Sequence, residues 1–84
     1  MKLRSDDLVW QMVDSEIVVL DLRKSVYFRI NGSGATLWEK LAGDVTRSDL
    51  ETALVDAYGI SAERALADVD AFLIDARGRG FLED

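Results

Sequence analysis

The stretch from Ser25 to Leu41 constrains the fold more than any other part of the chain. Val26-Tyr27-Phe28-Arg29-Ile30 is β-branched, aromatic and alternating, the composition of a strand. Asn31-Gly32-Ser33-Gly34 breaks that pattern, and Ala35, Leu37, Trp38 and Leu41 then recur at helical spacing. A strand therefore runs directly into a helix through a short corner. The sheet that ends here has to be covered by the helices that begin here.

The preceding residues supply two more strands. Leu8-Val9-Trp10-Gln11-Met12-Val13 reads as the first, bounded by the turn pair Asp14-Ser15. Glu16-Ile17-Val18-Val19-Leu20-Asp21-Leu22 reads as the second. Its nearly continuous apolar run predicts a central strand covered on both faces, or one carrying an overlapping interface. Short connections make the three strands an antiparallel meander. The charged start, Met1 to Asp7, reads as loose.

Beyond the corner, Asn31 or Ser33 is placed to cap a helix over Gly34 to Leu41, with Gly43-Asp44 closing it. Thr46 is a good N-cap for a second helix, with Asp49 at its positive end and Tyr58-Gly59 ending it. Ser61 caps a third helix running to about Arg77, before Gly78 and Gly80, and Phe81-Leu82 folds back on the core. Three strands followed by three helices predict a single α+β domain over residues 1–84, of winged helix-turn-helix type.

Composition removes most chemistry. The 84 residues contain no Cys and no His, which excludes zinc fingers, thiol catalysis and histidine general-base chemistry. A net charge of −6 disfavours nucleic acid and anionic membrane surfaces as partners. No apolar run approaches the ~20 residues of a membrane span, and Met1 to Asp7 lacks the apolar core of a secretory signal, so the expected location is cytoplasmic. Gly32-Ser33-Gly34 lacks the remaining residues of a dinucleotide or phosphate loop. Asp68 and Asp70, two apart on a helix, point away from each other, so neither a metal site nor a catalytic acid pair is expected.

What remains is a surface for binding. Along the third strand Val26, Phe28 and Ile30 share one face, and Tyr27 and Arg29 the other. In a meander this strand has one unpaired side, with Arg29 its only blunting charge. A free edge of that kind accepts another chain as an added strand, and self-pairing at high concentration is the accompanying hazard. On the third helix, Ala62, Ala65, Phe72, Leu73 and Ala76 fall within roughly 60° of Val69 and form the core face. Leu66, Asp70, Leu73 and Arg77 form one flank, with Ile74 beyond, extending the apolar surface past a simple core stripe.

These residues resemble the pyrroloquinoline quinone biosynthesis D family. The resemblance rests on Leu20-Asp21-Leu22, Tyr27-Phe28-Arg29-Ile30-Asn31, Ser33-Gly34-Ala35 and Leu37-Trp38-Glu39. Asp68-Val69, Phe72-Leu73 and Gly80-Phe81-Leu82 extend it, so that it covers roughly Trp10 to Leu82. The length and details are most similar to the stand-alone leader-binding branch found in lasso peptide biosynthesis. The resemblance implies a non-catalytic, cofactor-free recognition element for a ribosomally made precursor peptide. Its leader segment adds as a strand to the third strand, against the third helix. The bound precursor passes to a separate leader peptidase and a macrolactam-forming cyclase. The implied peptide-binding residues are Val26, Tyr27, Phe28 and Arg29 on the strand. The helix wheel adds Leu66, Asp70, Leu73 and Ile74. The chain departs from the family at Lys24-Ser25, where a turn Gly is common, and at Ala76, where Leu is common.

Two alternatives stay open at this point. The same module can serve a radical enzyme or another peptide-modifying system. A winged-helix transcription factor would need a basic second helix, whereas this one offers Arg47 alongside Asp49, Glu51 and Asp56.

Overall fold

The computed structural model describes residues 1–83, running β1 (Lys2–Leu3), β2 (Leu8–Val13), β3 (Glu16–Asp21), β4 (Val26–Ile30), α1 (Gly32–Lys40), α2 (Arg47–Tyr58), α3 (Ala62–Gly78) and β5 (Leu82–Glu83). The three strands read from the sequence are β2, β3 and β4. They form an antiparallel sheet in that order, followed by the three helices, the expected α+β arrangement.

Register follows from the turns. Asp14-Ser15 joins the pair Val13↔Glu16, and Asp14 takes a positive φ of 59°, as a tight hairpin loop requires. The four-residue connection Leu22 to Ser25 joins Asp21↔Val26. The inner face carries Ile17 and Val19 of β3, fully buried against Leu37, Trp38 and Leu41 near α1, Leu50 and Leu54 of α2, and Val69 and Leu73 of α3. Trp38 lies at the centre, edge-on to Trp10 at 6.3 Å and to Phe81 at 5.3 Å.

The helix boundaries follow their caps. Thr46 and Asp49 form a reciprocal capping box, Gly59 closes α2 at φ 63°, and the Ser61 hydroxyl accepts from the Arg64 N–H at 3.1 Å. The corner into α1 differs from expectation. The helix starts at Gly32, two residues early, and the Asn31 side chain makes no capping bond. Gly32, at φ 58°, makes the sharp change of direction, a conformation that costs a residue with a Cβ. At the other end Gly43 is not left-handed. The Ala42 and Gly43 N–H groups instead bond back to Glu39 and Lys40 carbonyls in tightened turns.

The chain start is not loose. The Met1 ammonium contacts Asp44 at 3.0 Å, the Leu3 N–H donates to the Leu41 carbonyl at 2.9 Å, and β1 pairs with β5. Arg4 is the reason these ends stay together. Its guanidinium donates to the carbonyls of Asp6, Asp7 and Gly80 and to Asp21 Oδ1 at 2.8 Å, and both Arg4 and Asp21 are buried. This bond to Arg4 holds the Asp21 carboxyl below its ordinary value against the opposing effect of burial, with the Arg23 N–H assisting. Charge alone made the segment look unstructured; pairing across the sequence reverses that.

β3 is central in strand order but covered on one face only. Ile17, Val19 and Asp21 are buried, while Leu20 on the opposite face is 41% exposed. On α3, Ala62 is exposed and Phe72 half-buried, so the core stripe narrows to Ala65, Val69, Leu73 and Ala76. No helix is long and apolar enough to cross a membrane among the described residues.

Candidate functional site

The unpaired side of β4 can be resolved to individual backbone groups. Hydrogen-bonded and non-bonded pairs alternate along an antiparallel ladder. The Leu22 N–H donates to the Asp7 carbonyl at 2.9 Å, continuing the β2–β3 ladder, so even-numbered residues of β3 bond towards β2. Odd-numbered ones bond towards β4, opposite Val26, Phe28 and Ile30. Tyr27 and Arg29 are left with their N–H and C=O groups directed to the free edge.

A groove runs beneath that edge, between β4 and α3. Its cavity of about 260 Å³ is lined by Arg29, Ile30 and Asn31 on one side and Phe72, Asp75 and Ala76 on the other, with Gly34, Trp38 and Phe81 beneath. Phe28 packs edge-on against Phe81 at 5.3 Å, and the Arg79 guanidinium sits 4.6 Å above the Phe28 ring. Asp75 fixes Arg79 from one helical turn earlier, at 3.0 Å, and the Lys24 ammonium donates to the Arg79 carbonyl at 3.2 Å. The Arg79 and Lys24 cations thus stand beside the trough, next to Phe28.

Small residues keep the trough open. A Cβ on Gly34 would stand 3.0 Å from Ile30 Cγ2 and 3.7 Å from a Phe72 ring carbon, so a side chain there would fill the floor. Ala76, a small residue, leaves further space in the same wall. The buried Trp38 N–H, at this floor, has no hydrogen-bond partner among the described residues.

The predicted site residues divide. Val26, Tyr27, Phe28 and Arg29 lie together on the edge strand, with Tyr27 67% exposed. The helix residues named from the wheel lie elsewhere. Leu73 is 1% exposed and belongs to the core, so it cannot offer a surface contact. Asp70 pairs with Arg47 of α2, so its flank of α3 lies on the α2 side. Leu66 and Ile74 are exposed on that same flank. The wall that faces β4 is Phe72, Asp75, Ala76 and Arg79, on the opposite side of the core stripe. A wheel gives both flanks but not which one meets the strand. The signal that separates them is size: Phe72 beside Ala76, with Gly34 before them, marks a large residue bordering a gap.

Similarity to known proteins identifies the family. The family model described as coenzyme PQQ synthesis protein D (PqqD) matches residues 16–82. No curated protein sequence matches the chain. Among solved structures, the chain is similar to "TbiB1 in Complex with the TbiA(beta) Leader Peptide", at 26% identity and a TM-score of 0.89, covering 99% of this chain and 95% of that one. It also shares the fold of "Lasso peptide synthetase B1 complexed with the leader peptide", at 22% identity and a TM-score of 0.84, covering 99% and 96%. With the matched segment spanning β3 through β5, the chain belongs to the PqqD family.

Proposed function

We propose that this chain is a non-catalytic recognition element that binds the leader segment of a ribosomally synthesised precursor peptide. The leader adds as a strand to β4. The observation that carries this reading is the free edge at Tyr27 and Arg29 lying over the groove lined by Phe72, Ala76 and Phe81. Backbone bonds to the edge give affinity without demanding sequence, and the trough selects alternate side chains. Leader residues opposite Phe28 point into the trough; those opposite Tyr27 and Arg29 point to the other face of the sheet. TbiB1, similar over 99% of this chain, is a leader-peptide complex and supports the reading. The loaded precursor is then passed to a leader peptidase and a macrolactam-forming cyclase.

The test uses the edge rather than a core residue, because Leu73→Asp or Phe28→Asp would strike the packing. Labelled leader peptide from the neighbouring precursor gene is titrated with the protein and followed by anisotropy. Wild type is expected to bind with a Kd of micromolar or tighter, about −8 kcal/mol. Arg29→Pro removes one edge N–H while sparing the bonds to β3, and is expected to weaken binding about tenfold or more. Arg29→Ala keeps the backbone donor and stays within about threefold of wild type. Equal affinity of Arg29→Pro and wild type would rule out strand addition at β4.

A further inference from the structure

Asn31 is the chain's single asparagine, and a glycine follows it. In such a pair the backbone nitrogen of the second residue can reach the side-chain amide of the first, because no Cβ stands in the way. The fold leaves this pair free to react. Both residues are exposed, and the Asn31 side chain makes no capping bond to α1. The Gly32 N–H is the first of the helix, so it has no intrahelical acceptor. Among the described residues it donates to no other backbone carbonyl. A Cβ built on Gly32 would meet nothing within 4 Å, so a ring has room to form there. Asn31 stands extended at φ −135° and ψ 178°, and ring closure requires ψ to turn from that value. The bond that opposes the turn is long, the Asn31 carbonyl accepting from the Ala35 N–H at 3.4 Å.

We infer that Asn31 is a site of spontaneous deamidation, and that its isoaspartate product disables leader binding. The Gly32 nitrogen attacks Cγ of Asn31 and gives up its proton. The new C–N bond closes a succinimide ring, the bond from Cγ to the amide nitrogen breaks, and ammonia leaves with that proton. Water then opens the ring. Addition at Cγ gives aspartate. Addition at the backbone carbonyl carbon gives isoaspartate, whose main chain runs on through Cβ and Cγ. Nothing is oxidised or reduced, and either product adds one negative charge to a chain of net charge −6.

The effect on binding rests on leader addition at β4. Asn31 lines the trough together with Ile30 and Gly34, and a Cβ on Gly34 would stand 3.0 Å from Ile30 Cγ2. β4 and α1 therefore meet without slack across this corner. Isoaspartate inserts an extra backbone carbon there, and the wall carrying Ile30 shifts against the floor carried by α1. Aspartate leaves the backbone as it was, and offers α1 the carboxylate that its N-terminus lacks.

Purified protein is aged in mildly alkaline buffer at physiological temperature. Its products are separated by ion exchange and mapped by mass spectrometry, with fragmentation that tells isoaspartate from aspartate. Asn31→Gln, whose longer side chain closes a ring far more slowly, is aged beside it, and Asn31→Asp supplies the aspartate product alone. The expected result is an acidic species that maps to Asn31 in wild type and is absent from Asn31→Gln. The isoaspartate fraction is expected to bind labelled leader about tenfold or more weakly than fresh protein, with Asn31→Asp within about threefold. A wild type that keeps its amide while the free peptide Phe28 to Ser33 loses it overturns the site. An isoaspartate fraction with full leader affinity, or one that has lost its helix content by circular dichroism, overturns the local effect on the trough. Failure of fresh wild type to bind leader falls instead on the proposed function, since deamidation is measured without leader.

Discussion

Ser25 shows how one residue can carry a cost that its neighbours absorb. It ends the connection into β4 at φ 55°, in the left-handed region that costs a residue with a Cβ about 1–2 kcal/mol. The backbone here holds a conformation that Gly would adopt freely. Ser25→Gly is therefore expected to raise the stability of the folded chain by up to about 1 kcal/mol, part of the relief being lost to the freer unfolded state. Chemical denaturation measures this, and leader affinity should not change because Ser25 precedes the edge. A lower midpoint would show that the serine side chain holds the turn.

Among the elements, periodicity told strand from helix reliably, because alternation in Val26 to Ile30 and the spacing of Leu37, Trp38 and Leu41 each report a buried face. It did not tell which flank of α3 lies along β4. That depends on how α3 packs on α2 and the sheet through Ala65, Val69 and Leu73, a tertiary arrangement that no local pattern encodes. The charged beginning was misread for the same reason, since Arg4 finds its partners at Asp21 and Gly80. The edge strand itself was legible residue by residue, because a meander always leaves its last strand unpaired on one side. Where α1 meets the trough, Gly34→Val is expected to fill the floor, pressing on Ile30 and Phe72. Leader affinity should fall about tenfold, or 1.4 kcal/mol, with helix content retained by circular dichroism. Undiminished affinity would mean that the leader passes over the trough without entering it.

At the scale of the whole molecule, one buried ion pair links both ends of the chain to the sheet. Arg4 bonds across the start of β2 and the turn before β5, and Asp21 at the end of β3 anchors it. The carboxyl of Asp21 is held below its ordinary value of 3.8. The unfolded chain therefore takes up this proton first as pH falls, and the stabilisation is present in full above that value and lost as pH drops through the folded-state value. Asp44, beside the Met1 ammonium, and Asp49, in the α2 capping box, shift the same way. Asp21→Asn is expected to be less stable than wild type at neutral pH and to show a shallower loss on acidification, read from thermal unfolding between neutrality and pH about 3. Parallel wild-type and variant curves would show that Asp21 titrates as it does in the unfolded chain.

Phe28 and Phe81, which meet at one end of the trough, come from the third strand of the sheet and from the last stretch of the chain. Neither the sheet alone nor the helices alone line the trough. With Phe81 displaced, the β4 edge would remain but the trough would lose part of its floor. On the proposed reading, selectivity for cargo thus depends on the segment around Phe81 having returned to the sheet.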